Sequence, residues 1–167
     1  MKTPSLLALA ALAALSLAPV SARAEVVRPA PGFTWAAGKT LKSWKGQPVV
    51  LLIAPSPASS AFRKQARRIE AAYQEFAARN TIFVVAFTEA DTTSIPFESR
   101  LHSNVPFVIA NNGPQVAADY GFDGKFHIAI IGKDGNLDLT TAKVVPASRI
   151  RDMILNNFEN QAAERKL

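Results

Sequence analysis

The 167-residue chain has no cysteine. No thiolate can serve as a nucleophile or a metal ligand, and no disulfide can staple the fold, so packing alone must hold it. Thiol oxidoreductase and thiol peroxidase chemistry are excluded on that ground. Histidine is scarce as well, with His102 and His127 making up the whole complement. A usual zinc site would need several carboxylates to converge on them. Glu89, Asp91 and Glu98 lie near His102 in sequence but follow no metal-ligand spacing, and an acidic solvated loop accounts for them. No metal and no cofactor is expected. The Gly-x-Ser-x-Gly elbow of serine hydrolases is absent, and His127 falls within a predicted strand, which argues against a Ser59 or Ser60 nucleophile. An excess of one charge is missing too: 19 basic residues face 13 acidic ones, for a net charge of +6. That attracts anions weakly, without the charge density of a nucleic-acid binder.

Residues 1–24 read as an address. Lys2 supplies a positive start, and Leu6 to Leu17 is an apolar run broken only by Ser16. Pro19 ends it, and Ala22-Arg23-Ala24 offers the small-x-small pattern that signal peptidase reads. The run is about 12 residues, too short to span a bilayer and suited to a secretory signal. Cleavage near Ala24 is expected to release a periplasmic or secreted chain of about 143 residues with no stable membrane insertion. Losing Lys2 and Arg23 lowers its net charge by two. Residues 25–46, with Pro29, Pro31 and Gly32, form a lead-in. Residues 47–160 form one α/β domain, and 161–167 a charged tail.

Val49 to Ala54 (VVLLIA) is a strand buried on both faces. A helix follows, with Phe62, Ala66, Ile69, Tyr73 and Phe76 as its apolar stripe and Arg63, Lys64, Arg67, Arg68, Glu70 and Glu75 opposite. Ser59 or Ser60 suits its N-cap, and Asn80 closes it. Thr81 to Phe87 is a second buried strand, so the first unit is a parallel βαβ. Glu89 to Asn104 is polar, with a short helix expected near Phe97 to His102. After Phe107 to Ala110 and an Asn-Asn-Gly-Pro turn comes a helix over Pro114 to Tyr120. Phe126 to Ile131 and Leu137 to Thr141 form a hairpin around Gly132-Lys133-Asp134-Gly135-Asn136, with Leu137 and Leu139 on one face. Pro146 opens a last helix with Ile150, Ile154 and Phe158 inside.

A parallel βαβ, a β-hairpin and a terminal helix make the thioredoxin order, with a mixed sheet. The helix Pro114 to Tyr120, Gly121, the strand Phe126 to Ile131 and the Lys133-Asp134-Gly135 turn resemble the second half of peroxiredoxin-like domains. More specifically, Leu51-Leu52-Ile53-Ala54-Pro55-Ser56 with Gln65 downstream, and Ile130-Ile131-Gly132-Lys133-Asp134-Gly135, are similar to a thioredoxin-like family of unknown function in secreted bacterial proteins. That family is related to the P-DUDES domains of vertebrate sushi-repeat proteins. The resemblance implies a degenerate redox site. The loop that carries Cys-x-x-Cys in redox members reads Pro57-Ala58-Ser59-Ser60 here, and Phe126 takes the place of the facing cis-proline.

Two readings of this loop–helix junction compete. Unpaired N–H groups, the Ser59 and Ser60 hydroxyls and the Arg63 and Lys64 cations could take a small anion or an acidic group of a protein partner. Alternatively, the junction is an N-cap followed by a solvated basic face. Trp35 and Trp44, with Phe33, read as core packed on the sheet, with an exposed aromatic patch for a partner as the competing reading. The sequence thus predicts an exported, non-catalytic binding or interaction module. A cofactor-independent enzyme using the vacated cleft near Ser59 and Ser60 is the alternative.

Overall fold

A computed structural model describes residues 28–35, 38–89 and 103–164, the side chains of 157–164 excepted. The expected signal peptide, the Phe97–His102 helix, Asp91, Glu98, His102, the Phe158 side chain and residues 165–167 lie outside what it describes. In chain order the elements are β1 (Thr34–Trp35), β2 (Lys39–Thr40), a 3₁₀ turn (Leu41–Trp44) and β3 (Val49–Ala54). They continue with α1 (Ser60–Ala71), α2 (Tyr73–Ala77), β4 (Ile82–Phe87) and β5 (Phe107–Ile109). Then come α3 (Gly113–Asp119), β6 (His127–Ile131), β7 (Leu137–Thr141) and α4 (Ala147–Glu164).

Five strands form one mixed sheet in the order β5-β4-β3-β6-β7, while β1 and β2 make a separate two-stranded ribbon. β3 runs parallel to β4 and antiparallel to β6. It is the central strand, and all six of its residues are buried. This explains its unbroken apolar run: neighbours cover both edges, and helices or the N-terminal segment cover both faces. Val50, Leu52 and Ala54 point into a core with Phe62, Ala66, Ile69, Phe76, Ile150 and Ile154 from α1, α2 and α4. Val49, Leu51 and Ile53 point the other way, onto Val116 and Ala117 of α3 and onto Phe33, Trp35 and Tyr120.

The predicted long helix is broken. At Ala72 (φ −115°, ψ 15°) the chain tightens into a 3₁₀-type contact, with the Ala72 N–H on the Ile69 carbonyl at 3.1 Å. No helix breaker stands there, so local propensity does not demand the interruption; packing accounts for it. The two short turns bring both Tyr73 and Phe76 onto Phe83, at ring-centroid distances of 6.3 and 5.5 Å. Asn80 does close α2, with φ 53°. The Asn80 N–H bonds to Ala77 and the Thr81 N–H to Phe76, the paired bonds of a Schellman cap. Gly121 closes α3 the same way, with φ 69°, through Gly121 to Ala118 and Phe122 to Ala117. Gly113, at the start of α3, has a different constraint: a Cβ there would lie 1.9 Å from the Phe87 carbonyl oxygen.

The hairpin also departs from expectation. Ile131 pairs with Leu137 but Ile130 pairs with Leu139, so a β-bulge inserts one extra residue in β7. Leu137 therefore packs on the Phe33–Trp35 core and Leu139 on the α1–α4 core. Strict alternation would put both leucines on one face and leave the other edge to Asp138 and Thr140. The bulge instead gives each face of the sheet one leucine.

Candidate functional site

The corner where β3 hands over to α1 collects the sequence-predicted residues Pro57, Ala58, Ser59, Ser60, Arg63 and Lys64. The Ser59 N–H donates to the Ser56 carbonyl at 3.1 Å, and the Ser59 carbonyl accepts the Arg63 N–H at 3.0 Å, closing the first helical turn. Ser59 is the N-cap by backbone geometry, but its hydroxyl makes no capping bond. The expected side-chain cap is thus corrected. With φ −53° and ψ 126°, Ser59 leaves the first-turn N–H groups of Ser60, Ala61 and Phe62 without acceptors among the described residues. No acidic residue lies in that turn. Ser60, Arg63 and Lys64 are exposed.

The rest of the predicted polar face sorts itself out. Glu70 accepts hydrogen bonds from the backbone and side-chain nitrogens of Asn104, both at 3.0 Å. Glu75 pairs with Arg151 of α4 at 2.9 Å. Neither carboxylate neutralises the α1 cations, so Arg63, Lys64, Arg67 and Arg68 stand as a basic strip with no ion-pair partner among the described residues. Positive charge at a helix N-terminus opposes the dipole and costs a few tenths of a kcal/mol unless an anion offsets it.

Phe126 precedes β6 directly and is 1% exposed, its ring in the core that also holds Phe62 and Phe87. No peptide bond among the described residues is cis. His127 follows it in β6, aligned with Ile53 on the sheet face away from α1. Its Nε2 is in contact with the Thr140 hydroxyl, and its Nδ1 is buried without a partner. Burial holds the imidazole below its ordinary pKa, while Asp123 pulls weakly the other way. His127 therefore forms no pair with Ser59 or Ser60. Among the described residues no group of histidine and carboxylate side chains could hold a metal ion.

Of the two tryptophans, Trp35 is core, while Trp44 is half-buried and packs against it at the edge of that core. Trp35 is 5% exposed and Trp44 stacks on it, with centroids 3.3 Å apart and planes 9° from parallel. Two features are not foreseen from the sequence: the role of Gln65, there only part of the resemblance motif, and a cavity. Gln65, in the apolar stripe of α1, is fully buried and clasps the backbone of Val145, donating to its carbonyl at 3.1 Å and accepting its N–H at 2.7 Å. Its position in the stripe of Phe62, Ala66 and Ile69 was the available signal. The second is a cavity beside Trp44, which no local pattern announces because its walls come from four separate segments.

The sheet order, with α1, α2 and α4 on one face and α3 on the other, permits comparison with solved structures. One match is a protein assigned as the thiol:disulfide interchange protein DsbE of Chlorobium tepidum, with a TM-score of 0.63 and 19% identity over 78% of this chain and 96% of that one. The mitochondrial 2-Cys peroxiredoxin of Plasmodium falciparum matches with a TM-score of 0.63 and 16% identity, over 83% and 97% of the two chains. A secreted Mycobacterium tuberculosis disulfide oxidoreductase matches with a TM-score of 0.56 and 18% identity, over 76% and 96%. The fold is thioredoxin-like. No protein-family model matches the chain, and no curated protein matches it by sequence. At these identities the likeness carries the thioredoxin-like scaffold and no activity. Two of these neighbours are described by their disulfide chemistry, whereas this thioredoxin-like chain has no sulfhydryl at all. Among its described residues no helix is long and apolar enough to cross a membrane.

Proposed function

We propose that this chain is an exported, non-redox binding module on a thioredoxin-like scaffold, from the family of unknown function found in secreted bacterial proteins and related to P-DUDES domains. Residues 1–24 act as its signal peptide, and residues 47–160 form the working domain in the periplasm or outside the cell. The observation that carries this reading is the β3–α1 corner. In redox members of the fold this loop holds the thiols, and here it holds Ser59 and Ser60 beside Arg63 and Lys64, which have no ion-pair partner among the described residues. The ligand is a small anion or the acidic group of a protein partner, held by first-turn N–H groups, the serine hydroxyls and the two cations. The description of one structural neighbour as secreted agrees with export.

The test is an NMR titration of the purified chain with inorganic phosphate and with acetate. Saturable shifts of the Ser59 to Arg63 amides, weakened in the Arg63→Glu, Lys64→Glu variant, are expected. Shifts that never saturate, or that survive the charge reversal unchanged, overturn the proposal. The mass of the chain recovered from the periplasm or medium checks export separately, with Glu25 as the expected first residue.

A further inference from the structure

A second concave place on the molecule lies far from the β3–α1 corner. β3 begins at Val49, and its first residue pairs with Ile131, the last residue of β6. The corner with Ser59 follows the other end of β3, roughly 17 Å away along the strand. At the Val49 end four segments line a cavity of about 430 Å³ that opens to solvent. That falls within the roughly 300–1,000 Å³ range of small-molecule sites. Leu41, Trp44, Val49 and Ile131 contribute apolar floor, and Lys42 and Lys45 stand on the rim.

Its walls are tied together by backbone. The Ala30 N–H donates to the Gly135 carbonyl at 3.0 Å, and the Leu137 N–H donates to the Arg28 carbonyl at 2.8 Å. These bonds lash the N-terminal segment to the hairpin turn. The Gly46 N–H reaches the Lys133 carbonyl at 3.0 Å, fixing the 3₁₀ turn to the same hairpin. A cavity framed this way is present before any ligand arrives, which lowers the ordering cost of binding.

Charge and shape select the occupant. Lys42 and Lys45 are exposed and have no ion-pair partner among the described residues. One carboxylate, Asp134, also lines the cavity, but it is occupied by the backbone and side-chain nitrogens of Asn136 at 3.0 and 2.7 Å. Lys42, Lys45 and Lys133 outnumber it, so the lining is cationic on balance. Trp44 is stacked against Trp35 and so held flat and rigid, half-buried, with no acceptor for its indole N–H among the described residues. A rigid aromatic wall, an apolar floor and two exposed ammonium groups complement a planar apolar ring carrying one acidic group. From this geometry we infer that the cavity beside Trp44 binds a small aromatic organic acid, a carboxylate or sulfonate.

The anionic dye 8-anilino-1-naphthalenesulfonate and its uncharged relative N-phenyl-1-naphthylamine test this directly on the folded chain. The anionic dye should bind one to one, quenching tryptophan emission, and the neutral dye more weakly. Lys42→Glu with Lys45→Glu should weaken the anionic dye by at least about tenfold, the loss expected for charge-assisted contacts. Gly32 supplies a blocking variant, since it lines the cavity and a Cβ there meets no atom within 4 Å. Gly32→Leu, which adds a side chain at the open edge of the cavity, should weaken both dyes with the melting temperature unchanged. Equal affinity for the neutral dye, or anionic-dye binding that survives both sets of substitutions, overturns the inference. Arg63→Glu and Lys64→Glu should leave dye binding intact, which keeps this test independent of the anion site at α1.

Discussion

Gln65 shows how one polar side chain can be worth a strand pairing. Fully buried, it satisfies both backbone groups of Val145, eighty residues away. Gln65→Ala would leave a buried donor and acceptor orphaned. A loss of about 2–3 kcal/mol in urea or thermal unfolding is expected; Gln65→Glu should recover little, because a carboxylate cannot donate to the Val145 carbonyl. His127 makes the second prediction at this scale. Its folded pKa lies below the ordinary value of about 6.5 because burial disfavours the charged ring, which carries a proton on both nitrogens, Nδ1 being buried with no partner among the described residues. As pH falls, the unfolded chain takes up that proton first. The stability His127 permits is complete above about pH 6.5 and is lost as pH drops below it. Thermal melts between pH 7.5 and pH 5 should show this decline in the natural chain and a flatter profile in His127→Gln. Identical profiles would mean that His127 charges freely in the folded state.

At the scale of elements, β7 is the most instructive. Its sequence, LDLTT, is an ordinary alternation, yet the bulge sends Leu137 and Leu139 to opposite cores. Both tryptophans belong to the Leu137 side. Leu137→Ala should therefore shift the tryptophan emission and near-ultraviolet circular dichroism, whereas Leu139→Ala should lower stability without moving either. A spectral change from Leu139→Ala equal to that from Leu137→Ala would rule out the bulged register. α1 shows the converse division of labour. Its buried stripe, including Phe62 and Ile69, serves the core, while Arg63 and Lys64 at its N-terminal end stand exposed and cost a little against the helix dipole. That imbalance is what the proposed anion site would offset.

Across the whole molecule, stability is concentrated in the middle of the sheet. β3 has a strand on each side and a core on each face, whereas β5 and β7 are the outermost strands. With no disulfide to distribute the load, local opening should be graded by burial alone. Hydrogen exchange is expected to be slowest for the Val49–Ala54 amides, intermediate in β4 and β6, and fastest in β5 and β7, with no change on adding a reducing agent. Maximal protection in an edge strand would contradict this order. The two candidate sites lie at opposite ends of this protected strand, so either can be altered while the centre remains a fixed reference.

The amino-acid sequence by itself determined the chemistry this protein lacks and the frame it builds. Absence of cysteine settles the loss of thiol function without any coordinates. VVLLIA, TIFVVAF and FHIAII mark the buried strands because apolar side chains must leave water wherever they lie, a property that composition and periodicity carry locally. Asn80 and the Asp134-Gly135 turn were legible for the same reason: their backbone demands are local. What the tertiary structure alone decided depends on segments distant in the chain. The break at Ala72 answers to Phe83, the Gln65 clasp to Val145, and the bulge in β7 to the need for an apolar residue on each face of the sheet. The cavity beside Trp44 exists because the N-terminal segment, the 3₁₀ turn, β3 and the hairpin meet at one end of the sheet. None of those four segments carries a pattern that announces it, since enclosed space is a property of how elements meet and of no element alone.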